Sequence, residues 1–143
     1  MNIHQALSDL SRTFNIPFHQ IGNTVIAGKI SSAERHLSSF QNDETGFESF
    51  VNHIHLEDIV QGVFDPETDR EALLIIGKDI IAVWAERLKP YLNKREVIFY
   101  LGGSDSVSLR FHIARDDGRD WIDRSDEDLI HRERIEVFKI GKP

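Results

Sequence analysis

The sequence predicts an α+β fold: a mainly antiparallel sheet of about four strands, with a long buried helix and N-terminal helices packed on one face. Two observations support this prediction. Apolar residues recur at helical spacing over residues 3–14 and 72–88, and three strand-like runs then follow one another without a long helix between them. Because 143 residues is the size of one ordinary domain, we predict a single domain over residues 1–143.

The first half of the chain contains one clear helix and one ambiguous segment. Residues 3–14 place apolar side chains on one helical face, and Pro17 ends that helix by restricting the residue before it. Residues 24–41 have helical spacing, but residues 24–26 are strand-like and Gly28 weakens a continuous helix. We predict a helix over residues 32–40, leave residues 24–30 as helix or strand, and expect a polar turn over residues 41–46.

The next elements are a predicted strand and the strongest helix of the chain. Residues 50–60 read as a strand because apolar residues alternate with His53, His55 and Glu57. Pro66 is tolerated in a first helical turn, and Thr68 with Glu71 forms a capping box, so a long helix is expected to begin there. Its broad apolar face continues to Leu88 and predicts that this helix is largely buried.

The last third of the chain predicts a hairpin, a helical turn and a final strand. Residues 96–101 and 107–114 are strand-like and flank the glycine-rich residues 102–106. A phosphate-binding loop would need a helix after those glycines, and a strand follows instead. Ser125 with Asp128 predicts a helical turn that reaches His131, and residues 135–140 predict a strand.

Composition excludes several functional classes. The chain has no cysteine, which rules out disulfides, thiolate metal sites and a cysteine nucleophile. Its formal net charge of −7 disfavours nucleic-acid binding, which depends on Lys and Arg. The first residues lack the basic and apolar pattern of a signal peptide, and no apolar run is long enough to span a membrane. We therefore expect a cytoplasmic, non-enzymatic protein without a cofactor.

One cluster of residues has the composition of a metal-binding or acid–base site. On a strand, His53, His55 and Glu57 would place two imidazoles and a carboxylate on one face, a set that binds a transition metal or acts in acid–base catalysis. His112, on another predicted strand, would complete the site if the two strands were neighbours. The alternative is that the three residues form only the polar face of a half-buried strand. A small metal-dependent or histidine-using enzyme is thus an alternative function.

The most unusual feature is the segment of residues 116–128, which we call the acidic segment. It has seven acidic and two basic residues, so it carries −5 of the formal charge, while the other 130 residues carry −2. Such a segment is either a solvated loop or a docking surface for a basic partner. Its tryptophan either packs on the sheet or forms a contact hot spot, or does both. The candidate partner-binding residues are Asp116, Asp117, Asp120, Trp121, Asp123, Asp126, Glu127 and Asp128.

In small size, acidity, absence of cysteine and this acidic run around Trp121, the chain resembles the immunity proteins of bacterial polymorphic toxin and contact-dependent inhibition systems. The resemblance implies tight, reversible blockade of a cognate toxin, commonly a cationic nuclease, by an acidic surface that competes with the phosphates of the substrate. We therefore expect an immunity-type inhibitor of a basic protein toxin. A scaffold or oligomerisation module that uses the long helix is a further alternative.

Overall fold

The computed structural model describes residues 3–141, which form six helices and six strands. The helices are α1 (Ile3–Phe14), α2 (Ile30–Glu34), α3 (Glu44–Val51), α4 (Leu56–Ile59), α5 (Arg70–Leu92) and α6 (Glu127–Arg132). The strands are β1 (Phe18–Ile21), β2 (Thr24–Ala27), β3 (His53–His55), β4 (Val97–Gly102), β5 (Ser108–Ile113) and β6 (Ile135–Ile140). A short 3₁₀ helix covers Leu37–Phe40.

The main sheet has four antiparallel strands in the order β3-β5-β4-β6. The hairpin of β4 and β5 forms its centre, with Phe99 opposite Phe111 and Tyr100 opposite Arg110. Strands β1 and β2 form a separate two-stranded hairpin. The α+β class, the four-stranded antiparallel sheet and the long helix predicted from the sequence are therefore confirmed.

Helix α5 covers one face of the main sheet and builds the core. Side chains on a strand alternate between faces, so Phe99 and Phe111 share the face that meets this helix. Trp84 packs edge-on against Phe111 at 5.9 Å, and Phe18 of the small hairpin contacts both rings. Within residues 3–141, no helix combines the length and the apolar character that crossing a membrane requires.

A glycine lets α5 approach the sheet closely. A Cβ atom added to Gly77 would lie 2.5 Å from a methyl carbon of Leu101 and 3.0 Å from one of Leu56. Both leucines are fully buried in the main core, so neither has free space into which it could move. The spacing between α5 and β4 therefore depends on the absence of a side chain at this position.

Helix α3 takes the place of a strand between β5 and β2. The buried Glu48 carboxylate accepts hydrogen bonds from the backbone N–H groups of Ile113 (2.9 Å) and Val25 (2.7 Å). It also accepts two from the Arg115 guanidinium, at 2.6 and 2.8 Å. One helical turn further on, Asn52 bonds the carbonyl of Val25 and the N–H of Ala27 through its side-chain amide. One side chain of α3 and that of its C-cap residue Asn52 thus satisfy an otherwise unpaired strand edge.

The predicted strand over residues 50–60 is wrong over most of its length. Helix α3 extends to Val51, only residues 53–55 are extended, and α4 begins at Leu56. An alternating pattern indicates a strand only where the surroundings provide a pairing edge. Here the hydrogen bonds of Glu48 and Asn52 favour helix before residue 53, and the side chain of Leu56 is fully buried.

The ambiguous segment resolves into three elements. Residues 24–27 are a strand, α2 covers Ile30–Glu34, and the 3₁₀ helix follows, so the continuous helix predicted over residues 32–40 is only partly correct. The polar turn predicted over residues 41–46 is also partly wrong. Asp43 accepts a hydrogen bond from the N–H of Gly46 and so caps α3, which begins at Glu44.

We expect Gly77→Ala to destabilise the protein by about 1–3 kcal/mol, because the new methyl group overpacks the contact with Leu101. At an unconstrained helical position the same change would stabilise by about 1 kcal/mol, so the sign of the effect is diagnostic. Urea unfolding followed by circular dichroism measures it. Asp79→Ala, at an exposed site of the same helix, serves as the control and should stay within about 0.5 kcal/mol of the wild type.

We expect Glu48→Gln to reduce the free energy of unfolding by about 3–5 kcal/mol, because it leaves the buried Arg115 without its counter-charge. The amide also presents a donor to a position where N–H groups need an acceptor. Glu86→Gln removes an equal charge from an exposed pair with Lys89 and should change stability by less than about 0.5 kcal/mol. A loss below about 1 kcal/mol for Glu48→Gln would contradict the structural role assigned to this carboxylate.

Candidate functional site

The second face of the main sheet is polar and is covered by the acidic segment. Tyr100, Arg110 and His112 point to this face because they alternate with the core residues of β4 and β5. The chain leaves β5 after Ile113 and returns across this face, where Trp121 packs against Tyr100 and Arg110 before α6 begins. The inner side of the acidic segment therefore packs on the sheet, and its outer side faces solvent.

Trp121 anchors the middle of this layer. Its ring meets the Tyr100 ring edge-on at 5.2 Å, and the Arg110 guanidinium lies 4.1 Å from its centroid. Arg110 is itself fixed by a 2.7 Å hydrogen bond to the carbonyl of Ser49. The ring remains 38% exposed. Both roles considered for Trp121 are thus physically available, since one part of the ring packs on the sheet while another part faces solvent.

A buried hydrogen-bond network of His112 and Tyr100 lies beside Asp120 of the acidic segment. His112 is fully buried, with Nδ1 3.1 Å from the Ile113 carbonyl and Nε2 2.9 Å from the Tyr100 hydroxyl. Because a carbonyl only accepts, Nδ1 carries the hydrogen and Nε2 accepts from Tyr100. Burial lowers the pKa of His112 and raises that of Tyr100, so both groups are held neutral. Asp120 lies 3.7 Å from His112 Nε2 and accepts a hydrogen bond from Arg124 at 2.9 Å.

Further contacts fix the two ends of the segment. Arg115 immediately precedes the segment and is paired with the buried Glu48. Burial of Arg115 lowers the pKa of its guanidinium, but the hydrogen bonds to Glu48 outweigh that effect and raise the pKa. Arg119 donates to the Asn42 carbonyl at 3.0 Å. At the other end, Asp126 accepts from the N–H of Leu129 and caps α6. The predicted helical turn is therefore present, with Asp126 rather than Ser125 as its cap.

The structure divides the predicted partner-binding residues into two groups. Asp120 is half-buried; it accepts a hydrogen bond from Arg124 of the same segment and lies 3.7 Å from the unprotonated Nε2 of His112 without bonding to it. The other carboxylates are exposed, although three of them also stabilise local turns: Asp117 and Asp123 accept from N–H groups two residues ahead, and Asp126 caps α6. The exposed set is Asp116, Asp117, Asp123, Asp126, Glu127 and Asp128.

A cleft of about 380 Å³ lies beside Trp121. Its lining comes from β4 and β5, the glycine-rich turn, the acidic segment and the α6–β6 connection. The two charged residues that line it, Asp105 and Glu133, are both acidic. The lining residues are Tyr100, Gly102, Gly103, Ser104, Asp105, Ser106, Ser108, Trp121, Ile122, Leu129, Glu133 and Ile135.

The histidine cluster predicted from sequence does come together, although not on one strand. The rings of His53 and His55 lie 4.6 Å apart, and Glu57 of α4 places Oε1 3.7 Å from His55 Nδ1. The other Glu57 oxygen accepts from the N–H of Val107 at 3.1 Å. Strands β3 and β5 are neighbours, as His112 would require, but the nitrogens of His112 are used by Tyr100 and Ile113. Among residues 3–141, no group of three His, Asp or Glu residues is arranged to hold a metal ion.

The same cluster does not have the geometry of a proton relay. The Ser106 hydroxyl lies 3.4 Å from His55 Nδ1, the same ring nitrogen that faces Glu57. In a relay that activates a hydroxyl nucleophile, the acid and the hydroxyl use opposite nitrogens of the imidazole. The contacts of His55 are therefore those of a polar edge of the sheet.

Sequence reasoning missed the residues that support Trp121 and the cleft. Arg110 lies on β5 between the apolar residues Leu109 and Phe111, and a charge in a strand at the centre of a sheet indicates a specific partner. That signal was present in the sequence, but the identity of the partner was not. Asp105 and Glu133 are separated by 28 positions and line the same cleft only because the β4–β5 turn and the α6–β6 connection lie at the same end of the sheet.

We expect His53 to titrate at a pH of about 4 in the folded protein, because burial, then Arg110 and His55, lower its pKa. In 8 M urea it should titrate at roughly 6.5. As the pH falls, the unfolded chain binds this proton at a higher pH than the folded protein does. Protonation of His53 therefore lowers the free energy of unfolding as the pH falls from about 6.5 toward 4. Two-dimensional NMR of the imidazole ring measures both midpoints. Arg110→Met should raise the folded midpoint, and a wild-type folded midpoint near 6.5 would contradict the prediction.

Comparison with known proteins places the chain in a family. No curated protein and no solved structure matches it. One family model matches residues 3–140, which is nearly the whole chain. The matched range includes β5, the acidic segment and every residue that lines the cleft. The chain therefore belongs to the family described as "Uncharacterized protein PM0498 family".

Proposed function

We propose that this protein is a non-enzymatic, immunity-type inhibitor that binds and neutralises a basic protein through the acidic segment and Trp121. The observation that carries the proposal is the anchoring of this segment. Its carboxylates are displayed around a partly exposed tryptophan whose ring is fixed on the sheet by Tyr100 and Arg110. A concentrated charge on an ordered support is suited to recognition of a partner with the opposite charge.

The anchoring favours a docking surface over a simple solvated loop. A solvated acidic loop needs no internal supports, and exposed ion pairs add little to stability. Here Arg119 bonds the distant Asn42 carbonyl and Trp121 packs against Arg110 of β5, while Arg124 braces the segment internally by bonding Asp120. A surface that is ordered before binding loses less conformational entropy when a partner docks. These contacts thus order the segment before binding, so its exposed carboxylates can bind a partner with a small loss of conformational entropy.

The distribution of charge indicates the chemistry of the partner. The segment carries −5 against −2 on the rest of the chain, so the attractive field for cations is concentrated on this face of the sheet. Such a field accelerates association with a basic protein and repels nucleic acid. A toxin that binds nucleic acid would have a basic substrate site of the kind that this surface complements.

The two alternative functions have less support. In the histidine cluster, Ser106 and Glu57 face the same nitrogen of His55, which does not favour catalysis. Helix α5 uses most of its apolar face inside the molecule, with Leu73, Trp84 and Leu88 buried in the core, and leaves Ile75 and Val83 as its large exposed apolar side chains.

The proposal is tested with the basic proteins encoded by the genes that flank the gene for this chain. One of them should bind with an association rate that falls steeply with salt. The triple variant Asp116→Asn, Glu127→Gln, Asp128→Asn should slow association roughly tenfold at low ionic strength. These three carboxylates are exposed and lie outside the contacts that anchor the segment. Stopped-flow measurements at about 10 mM and 1 M salt give the association rates of the wild type and the variant at low and high ionic strength.

The matched control removes the same charge from other surfaces, as Glu34→Gln, Glu67→Gln and Asp79→Asn, all exposed. This control should keep association close to the wild-type rate. An equal slowing by both triple variants would show that only net charge matters, and would remove the acidic segment as the docking surface. Absence of binding to every flanking basic protein would overturn the proposed function.

A further inference from the structure

We propose that the cleft beside Trp121 receives one arginine side chain of the basic partner, with its guanidinium between Asp105 and Glu133. The inference rests on the proposed function and names the contact that would give it specificity. The acidic segment supplies long-range attraction, which any cation experiences. A cleft with a defined shape distinguishes one side chain from another.

The shape of the cleft suits a long and thin side chain. Its volume of about 380 Å³ lies near the lower end of the range for small-ligand sites. Five of its twelve lining residues are glycine or serine, so the glycine-rich turn and the start of β5 contribute little side-chain volume. Ile122, Leu129 and Ile135 add apolar contacts that match the methylene stem of an extended side chain.

The charges that line the cleft specify a cation. Asp105 and Glu133 are its charged residues; Glu133 accepts a 3.3 Å hydrogen bond from the Ser104 hydroxyl on one oxygen, and Nε of the exposed Arg132 lies 4.0 Å from the other. The basic side chains that anchor the acidic segment, Arg110, Arg119 and Arg124, do not line it. A positively charged group that enters the cleft therefore meets two carboxylates.

The aromatic wall favours arginine over lysine. Trp121 and Tyr100 line the cleft, and the Trp121 ring already holds one guanidinium, that of Arg110, at 4.1 Å. A guanidinium is planar and weakly hydrated, so it stacks on aromatic rings and leaves water for a partly apolar site more readily than an ammonium does. Its donors also form a fork that can reach carboxylates on two sides.

The test uses a small probe that requires no partner. Acetyl-arginine amide is titrated into the protein while amide and indole NMR signals are followed, with acetyl-citrulline amide as the uncharged isostere and acetyl-lysine amide as the other cation. We expect saturable shifts of the Gly102 and Gly103 amides and of the Trp121 indole. The Trp84 indole, which bonds the Thr13 carbonyl, should not shift. Arginine should bind at least about fivefold more tightly than citrulline and more tightly than lysine.

Variants of the cleft identify the groups responsible. Asp105→Asn and Glu133→Gln should each weaken arginine binding about three- to fivefold, which is typical of one partly exposed ion pair. Asp79→Asn, on the exposed side of α5, should leave it unchanged. Equal binding of arginine and citrulline, unchanged binding by both cleft variants, or shifts confined to another surface would each overturn the inference.

Failure of the inference and failure of the proposed function give different results. If a flanking basic protein binds but Asp105→Asn and Glu133→Gln leave its affinity unchanged, the arginine site is wrong and the docking surface stands. If the arginine probe binds in the cleft but no flanking basic protein binds, the site stands and the immunity-type function is wrong. The probe and the partner must therefore be measured with the same variants.

Discussion

The buried ion pair of Glu48 and Arg115 is the interaction on which the rest of the structure depends. The carboxylate accepts from both β2 and β5 as well as from the guanidinium, so one side chain joins the small hairpin, helix α3 and the main sheet. A proton on either oxygen would have no acceptor, because all four hydrogen bonds come from N–H groups. Burial raises the pKa of Glu48, and Arg115 and the two backbone donors oppose that rise. Such a pair is costly to break, since either partner would then be left as a buried charge.

This pair also sets the start of the acidic segment. Arg115 immediately precedes Asp116, so the residue that completes the buried network fixes the point at which the chain turns back over the sheet. Trp121 then fixes the middle of the segment and Asp126 its end. The position of the candidate docking surface is therefore determined from within the fold, by contacts more than 60 residues apart in sequence.

The sequence predicts what local patterns control and fails where distant contacts decide. The first helix, the β4–β5 hairpin, the last strand and the body of the long helix follow from periodicity and turn chemistry, and the structure contains all of them, but the long helix begins at Arg70 and not at the predicted Pro66 with a Thr68–Glu71 capping box. Residues 50–60 were misread because Glu48 and Asn52 satisfy the edge of β2 from a helix, a role that no local pattern indicates. The acidic segment and Trp121 were recognisable from charge and composition. The cleft beside them was not recognisable from the sequence, because only the sheet topology brings Asp105 and Glu133 to the lining of one cleft.

The polar side chains on the second face of the sheet explain why the acidic segment contains both the candidate docking surface and the contacts that hold it in place. Tyr100 and His112 bond each other and Arg110 bonds the Ser49 carbonyl, but an apolar helix over this face would offer no further partner to the Arg110 charge. The acidic segment can cover them, since Trp121 packs on Tyr100 and places its ring against the Arg110 guanidinium. Changes at these positions therefore alter folding and recognition together. Recognition is separable from stability only at exposed carboxylates such as Glu127 and Asp128, where the layer faces solvent.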